Sequence, residues 1–350
     1  MKTLLSVLLV LAGSVGYPVW VVQTSGTDTN LRGVSLAYSR ADTAGEARNR
    51  AGGPVVWASG SNGVILRSTH TVGEWTKLTV RGGETLDFRS IQAFDEKTAY
   101  VMSSGSGNES RIYQTIDGGE TWVQQFTDSR SAFFLDAFIC DGPTRCFALS
   151  DPVDGKFLVV ATTDGQRWNA LPQAAMPAAL KDEGAFAASG TCLALYGNDI
   201  YFVTGGPAAR LFHSPDLGHS WTVTTLPIVS GNPGAGAFSV ARRGKNMAVM
   251  GGDYKNPESA DRVAAYSRNA GRSWEPAKQM PGGYRSAVVW LDDRTLATVG
   301  PSGEEISVDG GAHWKPNSSL NLNAVAAADF EHAWAVGANG TICHFSRETQ

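Results

Sequence analysis

One eight-residue pattern returns along this chain and limits what it can fold into. Ser307-Val-Asp-Gly-Gly-Ala-His-Trp314, Thr115-Ile-Asp-Gly-Gly-Glu-Thr-Trp122 and Ser214-Pro-Asp-Leu-Gly-His-Ser-Trp221 share a frame of hydroxyl, gap, Asp, gap, Gly, two gaps and Trp. Three worn copies fill the intervals. Ser267 to Trp274 has Asn for Asp, Thr162 to Trp168 is one residue short, and Ser68 to Trp75 keeps only its two ends. Neighbouring box tryptophans lie between 40 residues apart (Trp274 to Trp314) and 53 (Trp168 to Trp221). A period of that size marks one supersecondary unit used repeatedly.

The unit is legible between Trp75 and Trp122. Thr76 to Val80 reads as a short strand, followed by the loop at Arg81-Gly-Gly-Glu-Thr. Phe88 to Phe94 and Ala99 to Met102 alternate as a hairpin, and Arg111 to Gln114 leads into the next box. Period-two patterning with Gly, Asp and Asn at the turns gives four strands per unit. The apolar spacing of helical solenoids is missing. Four short antiparallel strands at this period predict an all-β propeller, because each small sheet has faces that only neighbouring blades can cover.

Six boxes suggest six blades, but the two ends argue for seven. Beyond Trp314, the segments Leu322 to Phe330, Ala333 to Gly337 and Thr341 to Phe345 make three strands and no Trp-bearing fourth. Val19-Trp-Val-Val-Gln23 supplies it. Paired beside Thr341 to Phe345, it closes the ring and removes both exposed edges. One unit is overlong, with a polar insertion at Ser39 to Pro54 that reads as a solvated loop.

Lys2, the apolar run Leu4 to Ala12, and the small residues Ser14 and Gly16 have the order of a secretory signal. Residues 1–16 are therefore expected to be removed, leaving 17–350 as one exported, periplasmic or secreted domain, monomeric and not embedded in a membrane. A net charge of −4 argues against a nucleic-acid partner, whose grip needs a basic surface. Cys140 and Cys146 flank a turn-rich linker and are either a cross-strand disulfide or two buried thiols; Cys192 and Cys343 read as core. No spacing suggests a metal site, and no cofactor is expected.

Within the box, Asp accepts amide N–H groups of its own turn, Gly supplies positive φ and Trp packs between blades. His70 in the first copy lacks the acceptor, so that turn should be looser. Six dispersed copies, four of them with the carboxylate, cannot converge on one substrate, so these are scaffold.

The boxes resemble the Asp-box (BNR) repeat of sialidases, other glycoside hydrolases and sortilin-type receptors. The whole pattern, including Ala333-Trp-Ala-Val-Gly-Ala-Asn-Gly340, resembles the photosystem II assembly and stability factor-like proteins. The resemblance implies the propeller fold. It leaves enzyme, receptor and assembly roles open.

Propeller geometry puts the boxes on one face, and the starts of the innermost strands with the loops between second and third strands on the other. Aligned starts give Leu31-Arg32, Phe88-Arg89, Leu135-Asp136, Ala185-Phe186, Ala237-Phe238, Tyr284-Arg285 and Leu322-Asn323, with a slip of one residue allowed in the third and fourth blades. Arg285, Asn323, Arg32 and Arg89 then form one arc; Asp136, Phe186 and Phe238 form the other, with Glu183 just before it. Three guanidiniums on one rim could hold a carboxylate, sulfate or phosphate, or could tie blades to neighbouring acids. Asp151 and Asp154 in one long loop, and Asp253 and Tyr254 in another, sit on the same face. These acids are either loop caps or an acid/base pair. Two functions follow. The first is a binding or assembly scaffold for an anionic small molecule, a glycan or a peptide segment. The second is a sialidase-like or other glycoside hydrolase, which requires two carboxyls about 5 to 10 Å apart in a cleft; Tyr284 belongs to its ingredients, but the sialidase Arg-Ile-Pro motif is missing.

Overall fold

Short runs of alternating apolar and polar residues, cut every few positions by Gly, Asp or Asn, can satisfy their backbone groups only by pairing with the next run. The chain does this seven times over. The computed structural model describes residues 19–38, 53–68 and 73–346. The expected signal, residues 39–52 of the insertion at Ser39 to Pro54, and His70 lie outside the described residues.

Seven antiparallel sheets form the blades of one ring. Blade 1 runs outward from Leu31–Ala37 through Val55–Gly60 and Ile65–Ser68 to Trp75–Leu78. Blade 2 follows with Phe88–Ala93, Ala99–Ser103, Arg111–Thr115 and Val123–Thr127. The innermost strands of blades 3, 4, 5 and 6 are Leu135–Cys140, Leu193–Tyr196, Asn232–Arg243 and Ala287–Trp290. Blade 5 carries a fifth strand, Gly205–Gly206, donated from the blade 4 segment. Blade 7 is Leu322–Ala327, Ala333–Gly337 and Ile342–Ser346, completed on its outer edge by Val19–Gln23. The expected closure is met residue for residue, from Val19 opposite Ser346 to Gln23 opposite Ile342.

The five boxes whose turns are described lie between the third and fourth strands of their blades, and their polar side chains bond within the turn. The first-position hydroxyl accepts the fifth-position amide, as in Gly119 N–H to Thr115 Oγ1 at 2.9 Å and Gly311 N–H to Ser307 Oγ at 2.9 Å. The third-position oxygen accepts the amide just before Trp, from Thr121, Ser220, Ser273 and His313. The shortened copy makes equivalent bonds to Thr162 and Asp164. Hydrogen bonds from Thr121 and Ser220 hold Asp117 and Asp216 down at about 2. These carboxylates are consumed by their own turns. The fourth position has positive φ even where Leu217 and Ala270 occupy it, so the turn imposes a left-handed residue whether or not Gly is there.

The tryptophans pack backwards against the preceding blade. Trp122 meets Trp57 edge-on at 6.3 Å, Trp168 meets Tyr100 at 6.2 Å, and Trp75 meets Trp334 of blade 7 at 6.0 Å. The core is accordingly a ring of inter-blade clusters rather than one central mass. Cys140 and Cys146 are directly paired across a hairpin with Cα atoms 4.0 Å apart and form a disulfide. Cys192 and Cys343 are buried thiols. No helix among the described residues is long and apolar enough to cross a membrane.

Candidate functional site: the central cavity

The innermost strands do not start cleanly. In five blades the pairing to the second strand slips by one residue at the same place: between Leu31 and Gly33, Phe88 and Ser90, Leu135 and Ala137, Ala237 and Ser239, and Leu322 and Ala324. The residues skipped are Arg32, Arg89, Asp136, Phe238 and Asn323. A bulge leaves one residue out of the ladder and re-aims its side chain. All five line one central cavity of about 580 Å³ on the face opposite the boxes.

Three chemically distinct walls result. Arg32 and Arg89, from blades 1 and 2, make the cationic wall. Arg89 is anchored: its Nε donates to Asp87 Oδ2 at 2.7 Å, and its Nη1 reaches across to the Ala187 carbonyl at 2.9 Å. Arg32 is less provided for, since its Nε is buried without a hydrogen-bond partner. Burial, and then the like charge of Arg89, lower its proton affinity.

The acidic wall belongs to blade 3. Asp136 is 1% exposed, and neither carboxyl oxygen has a hydrogen-bond partner. Burial, reinforced by the charge of Asp151, holds its pKa well above the ordinary carboxylate range, against the pull of Arg89. Asp151 is pushed up to about 6 by burial, while the Ala185 amide donates to its Oδ1 at 2.9 Å. That bond ties the start of blade 4 to blade 3.

The third wall is aromatic. Phe186 and Phe238 stack with centroids 3.8 Å apart, and Tyr284 stands edge-on to Phe238 at 4.7 Å. Tyr254, 48% exposed, caps both phenylalanines edge-on from the long blade 5 loop. Burial raises the Tyr284 phenol, which therefore stays neutral.

The structure thus brings together Arg32, Arg89, Asp136, Asp151, Tyr254 and Tyr284, and separates the other sequence candidates from them. Arg285 turns away from the cavity into a buried pair, with Nε and Nη2 each 2.5 Å from a Glu305 oxygen. The slip falls in blade 6, where Tyr284 and Ser286 line the cavity in place of Arg285, and blade 3 needs none. The innermost strand of blade 4 starts only at Leu193, so Phe186 lines the cavity from the loop before it and not from a strand start. Glu183 is likewise buried, bonded to Arg210 and accepting from Thr204 Oγ1 at 2.6 Å. Asp154 occupies a tight turn with Gly155, both at positive φ. Asp253 accepts the Lys255 amide at 2.9 Å and the Asn232 side chain at 3.2 Å, capping its own loop. Sequence reasoning missed Asp87, which orients Arg89. Its spacing two residues before that arginine was the available signal.

No protein-family model and no curated protein matches the sequence. Solved structures do. YCF48 from Cyanidioschyzon merolae matches with a TM-score of 0.65 at 14% identity, over 95% of this chain and 100% of that one. A structure described as YCF48 bound to D1 peptide matches at 0.63 and 14% identity, over 94% of this chain and 97% of that one. The fold is theirs. A family 74 xyloglucanase from Xanthomonas campestris matches at 0.57 and 17% identity, over 95% of this chain and 54% of the enzyme. The resemblance to the photosystem II assembly factors is thereby matched in fold, and a glycoside hydrolase is built on the same kind of propeller.

Proposed function

We propose that this chain is an exported binding or assembly propeller that seats an anionic group, on a small molecule or a peptide segment, in its central cavity. The observation that carries the reading is the Arg32–Arg89 pair. Two guanidiniums from adjacent blades face one cavity, and Arg32 Nε is buried with no acceptor. A buried donor left unmet costs free energy that a bound oxygen would restore. The aromatic wall beside it supplies apolar area for the rest of the ligand. That a propeller of this fold has been described with a bound peptide is consistent with a peptide partner. Export is supported by the Cys140–Cys146 disulfide, a bond that persists in oxidising compartments.

Titration calorimetry with carboxylate, sulfate and phosphate probes and with short acidic peptides tests this. Binding should weaken as salt rises and fall about tenfold or more in Arg89→Ala. A ligand indifferent to Arg89 would sink the proposal.

A second reading has one observation in its favour. Asp136 and Asp151 share the cavity, and both hold protons more tightly than ordinary carboxyls, the environment of a general acid. A hydrolase reading predicts release of nitrophenol from aryl glycosides, abolished in Asp136→Asn and Asp151→Asn. Hydrolysis that survives both substitutions excludes it.

A further inference from the structure

The cavity contains two unmet polar demands of opposite kind. Arg32 Nε needs an acceptor, and both oxygens of Asp136 need donors. The two side chains line the same cavity yet do not pair with each other, and Arg89 is already engaged by Asp87 and the Ala187 carbonyl. A purely anionic ligand would satisfy Arg32 and leave Asp136 stranded. A purely cationic one would do the reverse.

We propose that the cavity is built for a zwitterion, an amino-acid or short-peptide ligand whose carboxylate meets Arg32 while its ammonium meets Asp136. This rests on the reading that the cavity is a binding site and names the ligand class. An ammonium carries three donors, enough to serve both oxygens of Asp136 and the neighbouring Asp151. Phe186, Phe238, Tyr254 and Tyr284 line the same cavity from blades 4 to 6, a surface for an apolar or aromatic side chain. The volume of about 580 Å³ lies within the range of small-ligand sites and leaves room beyond a single amino acid.

The charge bookkeeping gives a second readout. Burial raises the proton affinity of Asp136 in the empty site. An ammonium beside it favours the carboxylate and lowers that affinity, so any proton held there passes to the buffer as the ion pair forms. Binding of the zwitterion is thus coupled to proton release, and binding of the same ligand without its amine is not.

The test is calorimetry on the full chain with phenylalanyl-phenylalanine, its N-acetyl derivative and its C-terminal amide. Each is titrated at pH 7 into wild type, Asp136→Asn and Arg32→Ala, in imidazole and in Tris, neither of which is an oxyanion. The free dipeptide should bind wild type about tenfold or more tightly than either blocked form. Its apparent enthalpy should differ between buffers by the proton released. Asp136→Asn should bind free and acetylated dipeptides alike, and Arg32→Ala should bind free and amidated ones alike. If the acetylated dipeptide binds wild type as tightly as the free one and Arg32→Ala still weakens it, the zwitterion inference fails and the anion-binding reading stands. If no member binds, or none is weakened by Arg32→Ala, both fail.

Discussion

Trp20 stacks on Phe345, with ring centroids 3.8 Å apart, and the two residues are directly opposed across the junction between Val19–Gln23 and Ile342–Ser346. The ring of blades is therefore closed by a non-covalent strand pairing between distant parts of the sequence. Gln23 extends the clasp by accepting the indole N–H of Trp75 in blade 1 at 3.3 Å. Trp20 is 7% exposed and belongs to the cluster joining blades 6 and 7. Trp20→Ala should cost about 3–5 kcal/mol of unfolding free energy, the usual range for a buried large aromatic. Denaturant unfolding measures it. A loss below about 1 kcal/mol would mean that the strand is decoration rather than closure.

The same seam is sensitive to pH. Glu304 is buried at the blade 6–7 junction, and burial pushes its carboxyl up to about 7, opposed by the Asn317 amide, which donates to Oε2 at 2.9 Å. The folded state holds this proton more tightly than the unfolded chain, whose glutamates titrate near 4.3. Its contribution is therefore best below about pH 4 and is lost as pH rises towards 7, a cost on the order of 3 kcal/mol by pH 8. Glu304→Gln removes the charge and keeps the shape. It should raise the melting temperature at pH 8 and leave it nearly unchanged at pH 4. An equal shift at both values would contradict the account.

Arg285 and Arg32 occupy corresponding segments of their blades and should behave oppositely. Arg285 is paired with Glu305 out of solvent, so Arg285→Met strands a buried carboxylate and should destabilise by about 3–5 kcal/mol. Arg32 faces Arg89 and lacks a partner for Nε, so Arg32→Met should be neutral or stabilising. Parallel melting curves decide. Equal losses would make Arg32 a structural residue.

Removing the Cys140–Cys146 bridge, with a sequence separation of 6, should cost about 2 kcal/mol, because the loop it closes is short. Comparing Cys146→Ser with wild type, oxidised and reduced, measures this. A reduced wild type as stable as the oxidised form would contradict it.

Much of this architecture was readable from residue order, for a physical reason. The hydroxyl and the Asp or Asn side chains of the described boxes bond within their own turns, so their signature survives in a linear string. The tryptophans count blades because each must cover the blade before it. Val19–Gln23 was identifiable because the last unit lacked its fourth strand. The rim positions were readable too, since the bulge recurs two residues into most innermost strands. What could not be read was the fate of each side chain once there. Arg285 and Arg89 look alike as letters, yet one meets Glu305 from a third strand and the other meets Asp87 and a carbonyl across the channel. Asp136 and Asp253 differ in the same way. One is stranded in the cavity, and the other is satisfied by its own loop. Such outcomes depend on distances between blades, which no local pattern encodes.

The most direct test of the central cavity as an anion-binding site is to see where a carboxylate settles. Crystals soaked in 4-iodobenzoate should show the carboxylate on Arg32 and Arg89, with the iodine anomalous peak against the Phe238–Tyr284 wall. A peak on the box face, with the cavity holding only water, would contradict the account.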